Sequence, residues 1–207
     1  MAKQKPDNLK EALVDEAFSV IEEKGVEQLS FREISRRLGV SHQAPYKHFA
    51  SRDHILAAVI GRCFDAFASH LNNRPKADSS VDDLRNMGLA YMGFAEQHPL
   101  MYRLMFNTAL PPVHDHPEML AKSQHAFALL RDRLATMELR DPATDVPDPA
   151  RHDAVFIWAA LHGLASLMQS DAIATLGLSD RERDIARQRM FQRLSLAMHD
   201  QDVDRVE

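Results

Sequence analysis

The stretch Ser30–Phe49 reads SFREISRRLGVSHQAPYKHF, and its reading decides how the rest of the 207-residue chain is understood. Ser30 and Glu33 have the spacing of a capping box, in which the hydroxyl accepts from a free backbone N–H and the carboxylate reaches back to the cap N–H. Ile34 and Leu38 follow at helical spacing, with Arg32, Arg36 and Arg37 between them. Gly39 ends this short helix, because glycine adopts the left-handed C′ conformation at least cost. Ser41 is placed to cap a second helix at once, with Tyr46 and Phe49 on its apolar side. Two short helices across a tight glycine turn form a helix-turn-helix, the unit whose second helix enters a DNA major groove.

The local charge agrees. From Ser30 to Arg52 there are five cations (Arg32, Arg36, Arg37, Lys47, Arg52) against Glu33, on a chain whose net charge is −5. A basic island on an acidic chain suits phosphate contact and argues against indiscriminate nucleic-acid binding. The plain alternative is a solvated helix pair with an ordinary charged face. One residue breaks the helical pattern. If Ser41 is the cap, the N–H missing at Pro45 is the first that an internal bond would use, so the spacing predicts a short or distorted reading helix.

Outward from this stretch the chain reads as all-α. Hydrophobic residues make up 45% of it, enough for a sizeable core, and runs with strand or hairpin patterning are scarce. Its single cysteine, Cys63, excludes an intramolecular disulfide, suits a reducing compartment and reads as a buried small hydrophobe. The N-terminal MAKQKPDNLKEAL lacks an apolar core of a secretory signal. The longest nearly apolar run, Ala154–Met168, is interrupted by His162, Gly163 and Ser166 and falls short of the roughly 18–20 residues of a membrane span. A cytoplasmic protein without a membrane partner is expected.

Upstream, Asp7 is placed to cap a first helix with Leu9, Leu13, Ala17, Val20 and Ile21 on one stripe, closed by Gly25. Downstream, Ser51 is placed to cap a helix carrying Ile55 to Leu71, roughly 30 Å long at 1.5 Å per residue. A helix of that length at the DNA end connects the first module to the rest, giving domains at 1–50 and 51–207. Ser80 with Asp83 opens the next helix, His98-Pro99 breaks it, and a short helix starts at Pro99. A helix from about Pro117 to Met137 and an irregular segment from Arg140 follow. Asp148-Pro149 is a cap with a first-turn proline, opening a helix that is apolar nearly all round and closes at Gly177. Ser179 with Glu182 is a further capping box. The two C-terminal helices, at about 150–175 and 180–199, carry enough apolar surface for a homodimer interface, in which an isologous pair forms a four-helix bundle.

Tyr91, Phe94, Tyr102, Met105, Phe106, Phe127 and Trp158, with His162 in the same apolar helix, are candidates to line a cavity for an apolar or aromatic small molecule. Ordinary core packing competes with that reading at every one of them. His114, Asp115 and His116, with His125 nearby, fix no ligand geometry and read as solvated loop residues, so no metal and no cofactor are expected.

Leu13 to Ile60 resembles the DNA-binding region of the tetracycline-repressor (TetR) family. The matching residues are Ala17, Phe18, Gly25, Leu29, Ser30, Arg32, Ile34, Leu38-Gly39-Val40-Ser41, Tyr46, His48-Phe49 and the run from Arg52 to Leu56. His98–Phe106 and Trp158–Leu167 look like a C-terminal subgroup marked by a Trp/His-Gly element. The chain departs from the family pattern at Pro45, where the wider family has a larger aliphatic residue. The resemblance implies about nine helices, the first three for DNA and the rest for ligand binding and dimerisation. It implies a ligand-responsive homodimeric transcriptional regulator, usually a repressor. It places base-edge contacts at His42, Gln43 and Ala44, at the head of the helix that Ser41 opens. Phosphate contacts fall at Ser30, Arg32, Tyr46, Lys47, His48 and Arg52. Gln43 suits adenine and Ala44 a thymine methyl, and a two-fold dimer implies a palindromic double-stranded operator.

Two other function classes compete. A helical enzyme would need scattered catalytic ligands, since the chain lacks a Gly-rich phosphate loop, a nucleophile elbow and zinc-ligand spacing. A sensor or interaction module would carry a helix-turn-helix that no longer reads DNA.

Overall fold

The structure, a computed structural model, describes residues 8–137 and 147–199. Among these the fold is all-α, with nine α-helices: α1 Leu9–Lys24, α2 Phe31–Leu38, α3 Arg52–Asn72, α4 Ser80–Gln97, α5 Pro99–Phe106, α6 Pro117–Ala135, α7 Pro149–Met168, α8 Ala172–Thr175 and α9 Asp180–His199. The described chain forms two compact units interleaved in sequence. Unit 1 takes the chain through Ala66 and adds Leu100–Gln124; unit 2 takes Phe67–Pro99 and the chain from His125 onward. The expected boundary at residue 50 falls inside unit 1, and α3 runs from one unit into the other.

Most helix ends follow their local chemistry. The Ser30 hydroxyl accepts from the Glu33 N–H at 3.3 Å, Asp148 accepts from Arg151 ahead of Pro149, and Ser179 exchanges bonds with Glu182 as a complete capping box. Gly39 closes α2 at φ 68°, in the left-handed region, which lets the Val40 N–H reach the Ser35 carbonyl. Four ends differ from expectation. Asp7 lies outside the described residues, and Asn8 caps α1 by accepting from Glu11. Ser79 rather than Ser80 caps α4, and the Ser51 hydroxyl faces the His54 ring at 2.9 Å. The helix expected over 150–175 breaks after Met168; the Gln169 side-chain amide donates to the Ala95 carbonyl, and Gly177 (φ 63°) follows the short α8. Of the irregular segment expected from Arg140 to Pro149, residues 140–146 also lie outside the described residues.

The core of unit 1 is built from Leu13, Ala17, Val20 and Ile21 of α1, Leu29, Phe31 and Ile34, Phe49, and Ile55, Leu56, Val59 and Ile60 of α3. Cys63 joins it at 1% exposure, and burial pushes its thiol up to about 12. Ion pairs from Arg62 to Glu11 and Asp15 tie α3 to α1, and Lys122 of α6 bridges to Asp65 at 2.7 Å. His116 is buried, with its ring edge-on to His54 at 4.7 Å, which corrects its reading as a solvated loop residue; His114 and Asp115 are exposed.

In unit 2, α4, α7 and α9 pack on one another. Phe67 meets Tyr91 and Phe94 edge to face, and Gly88 lets the Phe191 ring approach so closely that a Cβ there would sit 2.6 Å from it. One polar cluster is sealed inside. Arg74 donates to Asp83 Oδ2 at 2.7 Å and to the Leu71 carbonyl, and Arg133 Nε lies 2.9 Å from the same carboxylate oxygen. Burial pushes the Asp83 carboxyl up, but the Arg74 hydrogen bond and the charges of Arg74, Arg133 and Lys76 outweigh it and hold the group below its ordinary value.

Candidate nucleic-acid interface

Between Leu38 and Arg52 the chain forms no α-helix. Residues 42–44 are turns and Pro45–Lys47 is one 3-10 turn. The cause is local. In an α-helix begun at Ser41 the Ser41 carbonyl would accept from residue 45, and proline has no N–H to give. The Ala44 N–H takes that carbonyl instead at 3.0 Å, and the bond from His48 to Pro45 repeats the tighter spacing. Pro45 and Phe49 are buried and pin the segment from beneath. Ser41, His42, Gln43, Tyr46, Lys47 and His48 are exposed, with Ala44 half-buried. Tyr46 is 58% exposed yet fixed, its ring standing edge-on to Phe31 at 4.8 Å. A buried proline and phenylalanine thus hold a short exposed row of polar side chains, with Ser30 and Arg32 exposed at the start of α2.

The five cations of the basic island do not share one situation. Arg52 donates from Nε to the Leu29 carbonyl at 3.0 Å and from Nη2 to the Val26 carbonyl at 2.6 Å. It braces the turn between α1 and α2 from behind, an arrangement that its expected phosphate contact did not anticipate. Arg36 and Arg37 both pair with Glu33, whose carboxylate therefore turns to them and to Lys24 at 2.8 Å, away from the cap N–H. These hydrogen bonds, Arg36 first, hold the Glu33 carboxyl far below the usual range. Arg37 also binds Glu16 and Glu23 of α1. Arg32 and Lys47 have no ion-pair or hydrogen-bond partner among the described residues and are the two cations left open to an anion. The pair of Arg37 with Glu33 has plain i,i+4 spacing, but no periodic signal marked its bonds to Glu16 and Glu23, which lie on a different helix.

The expected cavity residues fall in both units. In unit 1, Tyr102 and Met105 are sealed in the core, with Phe106 half-buried and packed on Tyr102 and Phe64. In unit 2, Tyr91 and Phe94 are sealed as well. Phe127, Trp158 and His162 are more open: Trp158 is 36% exposed, with its ring 6.2 Å from Phe127 and 5.9 Å from His162. The Tyr91 hydroxyl lies 3.2 Å from His162 Nδ1, and partial burial lowers the imidazole's proton affinity. Unit 2 also holds a half-open cleft of about 310 Å³ between α4, α7 and α9, lined by Met92, Glu96, Met168, Arg183 and Arg187 among others. Among the described residues no group of three His, Cys, Asp or Glu gathers as metal ligands, and no helix is long and apolar enough to cross a membrane.

Residues 13–59 match the family described as bacterial regulatory proteins, tetR family, and residues 84–194 match its tetracyclin repressor-like C-terminal domain. An uncharacterised HTH-type transcriptional regulator of Mycobacterium tuberculosis, Rv0681, is 27% identical over 76% of this chain and 69% of its own length. The HTH-type transcriptional regulator Rv1816 of the same organism is 29% identical over 47% of this chain, which spans 43% of that relative. A protein of unknown function from Rhodococcus sp. RHA1 superposes with a TM-score of 0.71 at 24% identity, covering 92% of this chain and 97% of that one, a likeness of fold. The second match alone takes in more than half of the sequence, and with the first it accounts for both the helix-turn-helix and the helices behind it: the chain belongs to the TetR family of helix-turn-helix transcriptional regulators.

Proposed function

We propose that two copies of this chain join through α7 and α9 and read a palindromic operator with the segments 41–48, and that a small apolar or aromatic molecule releases them as a repressor is released. The observation that carries the reading is the exposed row from Ser41 to His48, pinned by buried Pro45 and Phe49 and carrying the open cation Lys47, with a second, Arg32, exposed at the start of α2. Gln43 and Ala44, with His42, face the base edges. Ser30, Arg32, Tyr46, Lys47 and His48 hold phosphates and set the register without reading sequence. Arg52 supports them from the rear through Val26 and Leu29.

The dimer reading rests on α7. Val155, Phe156 and Leu167 are 49%, 57% and 46% exposed in the single chain, and Ala159 and Gly163 lie between them on the same side. Small residues among large apolar ones let a second helix approach closely, and burial of such a face drives association. The effector reading rests on the half-open aromatic group of Phe127, Trp158 and His162. Anisotropy titration of operator duplexes tests the whole. Lys47→Ala should weaken binding to every duplex and reduce the salt slope by about 1.8 on a dimer, the contribution of two phosphate contacts. Gln43→Ala should relax base preference; equal loss on all duplexes would remove it from base reading.

A further inference from the structure

We propose that Arg37 is a positioning residue for DNA reading: its guanidinium sets the angle between α1 and α2 from which the reading segment departs, and it touches no DNA itself. The inference builds on the proposal that residues 41–48 read the operator.

Three carboxylates approach the guanidinium from different directions. Arg37 donates from Nη1 and Nη2 to Glu23 at 2.9 and 2.7 Å, from Nη1 to Glu16 at 3.4 Å and from Nε to Glu33 at 3.0 Å. Glu16 and Glu23 are seven residues apart, so they stand two turns apart on one face of α1. Glu33 belongs to α2 and is also held by Lys24 from the end of α1. The Arg37 side chain is only 15% exposed, and it sits in the last turn of α2, two residues before the glycine that leads into the reading segment. A planar fork with fixed donors joins these partners in one geometry, and a flexible ammonium does not. The cluster of Arg36, Arg37 and Lys24 with Glu16, Glu23 and Glu33 sums to zero charge, so it offers DNA no net attraction and its contribution to binding is one of shape.

Arg37→Lys tests this, because it keeps the charge and removes the fork. The probes are an operator duplex selected by the wild-type protein from a random pool and a scrambled duplex of equal composition. We expect affinity for the selected duplex to fall about tenfold, affinity for the scrambled duplex to stay within about twofold, and the salt slope to be unchanged, since a phosphate contact would carry about 0.9 per site. The thermal midpoint should stay close to that of the wild type. Glu23→Gln, which leaves the bonds to Glu16 and Glu33, should shift the ratio of the two affinities in the same direction by less. The double variant should be no worse than Arg37→Lys alone, as coupled partners require. An Arg37→Lys protein that loses both affinities equally with a shallower salt slope would make Arg37 a phosphate contact, and an unchanged affinity ratio would leave the cluster without a part in reading; either result overturns the proposal. Lys47→Ala in the same titration keeps the two ideas separate: if it is silent, the phosphate reading fails whatever Arg37→Lys does.

Discussion

The carboxylates of Glu16, Glu23 and Glu33 share Arg37 at the surface of unit 1, whereas Asp83 shares Arg74 and Arg133 in the interior of unit 2. Both clusters place more than one partner on a single group; the first joins the consecutive helices α1 and α2, and the second brings Arg133 of α6 to Asp83 of α4. They differ in access to water. Glu23 is 56% exposed, so solvent and salt compete for it and its pair adds little to stability. Arg74 and Asp83 side chains are 5% and 7% exposed, so neither has water to fall back on if its partner is removed. The first cluster selects a geometry at little thermodynamic cost; the second holds the junction of α3, α4 and α6 together within unit 2.

The sharpest way to break that contrast is Asp83→Ala. It strands two guanidiniums, one of them buried, and should cost about 3–5 kcal/mol of unfolding free energy in a urea titration. A loss as small as that of a surface pair would show that water reaches the cluster after all. The acid limb follows from the same carboxylate. Its folded-state proton affinity lies below the ordinary value, so its stabilisation is complete above the unfolded value near about 4 and is lost as pH falls through the lower folded one. Stability read by circular dichroism should therefore hold from pH 7 to about 5 and decline below about 4, and Asp83→Asn should flatten that decline.

Salt separates the two clusters more gently. Raising it from about 0.1 to about 1 M shortens the screening length from about 10 to about 3 Å. Amide hydrogen exchange should quicken along the facing sides of α1 and α2, with α4 near Asp83 unaffected; equal quickening in both would erase the distinction. The smallest effect lies beside the first cluster and involves no charge. Ser35 is fully buried in α2, its hydroxyl without a partner among the described residues. Ser35→Ala removes that unsatisfied group and improves helix propensity, so it should raise stability by about 1 kcal/mol with operator affinity unchanged.

Local chemistry was legible where a residue's role depends on its near neighbours. Ser30, Gly39, Pro149 and Ser179 ended their helices as their spacing implied, and Pro45, read as shortening or distorting the second helix, leaves a single 3-10 turn because it has no N–H for the Ser41 carbonyl. The inner side of the segment 41–48 was readable only in part: Phe49 is buried as expected, but Tyr46, read on the same apolar side, is 58% exposed and Pro45 is buried in its stead. What charge would do was not readable. Counting five cations near the helix-turn-helix treated them as equivalent, while the fold gives Arg36 and Arg37 to carboxylates and Arg52 to two carbonyls, leaving Arg32 and Lys47 open. Asp83 read as part of a cap and is instead the centre of a buried cluster. Aromatic residues at helical spacing look the same whether they fill a core or line a cavity, and only burial separates sealed Tyr91 and Phe94 from half-open Phe127 and Trp158.

By itself, then, the order of residues determined an all-α chain, the positions of most helix ends, the helix-turn-helix and the family, because capping, periodicity and proline geometry act over a few residues. Tertiary structure decided which cations have no partner among the described residues, which carboxylate is buried, and which apolar face of α7 is left uncovered. Those outcomes depend on which side chains of distant segments arrive at the same place, and a long flexible arginine pairs with whatever carboxylate the packing brings within its reach.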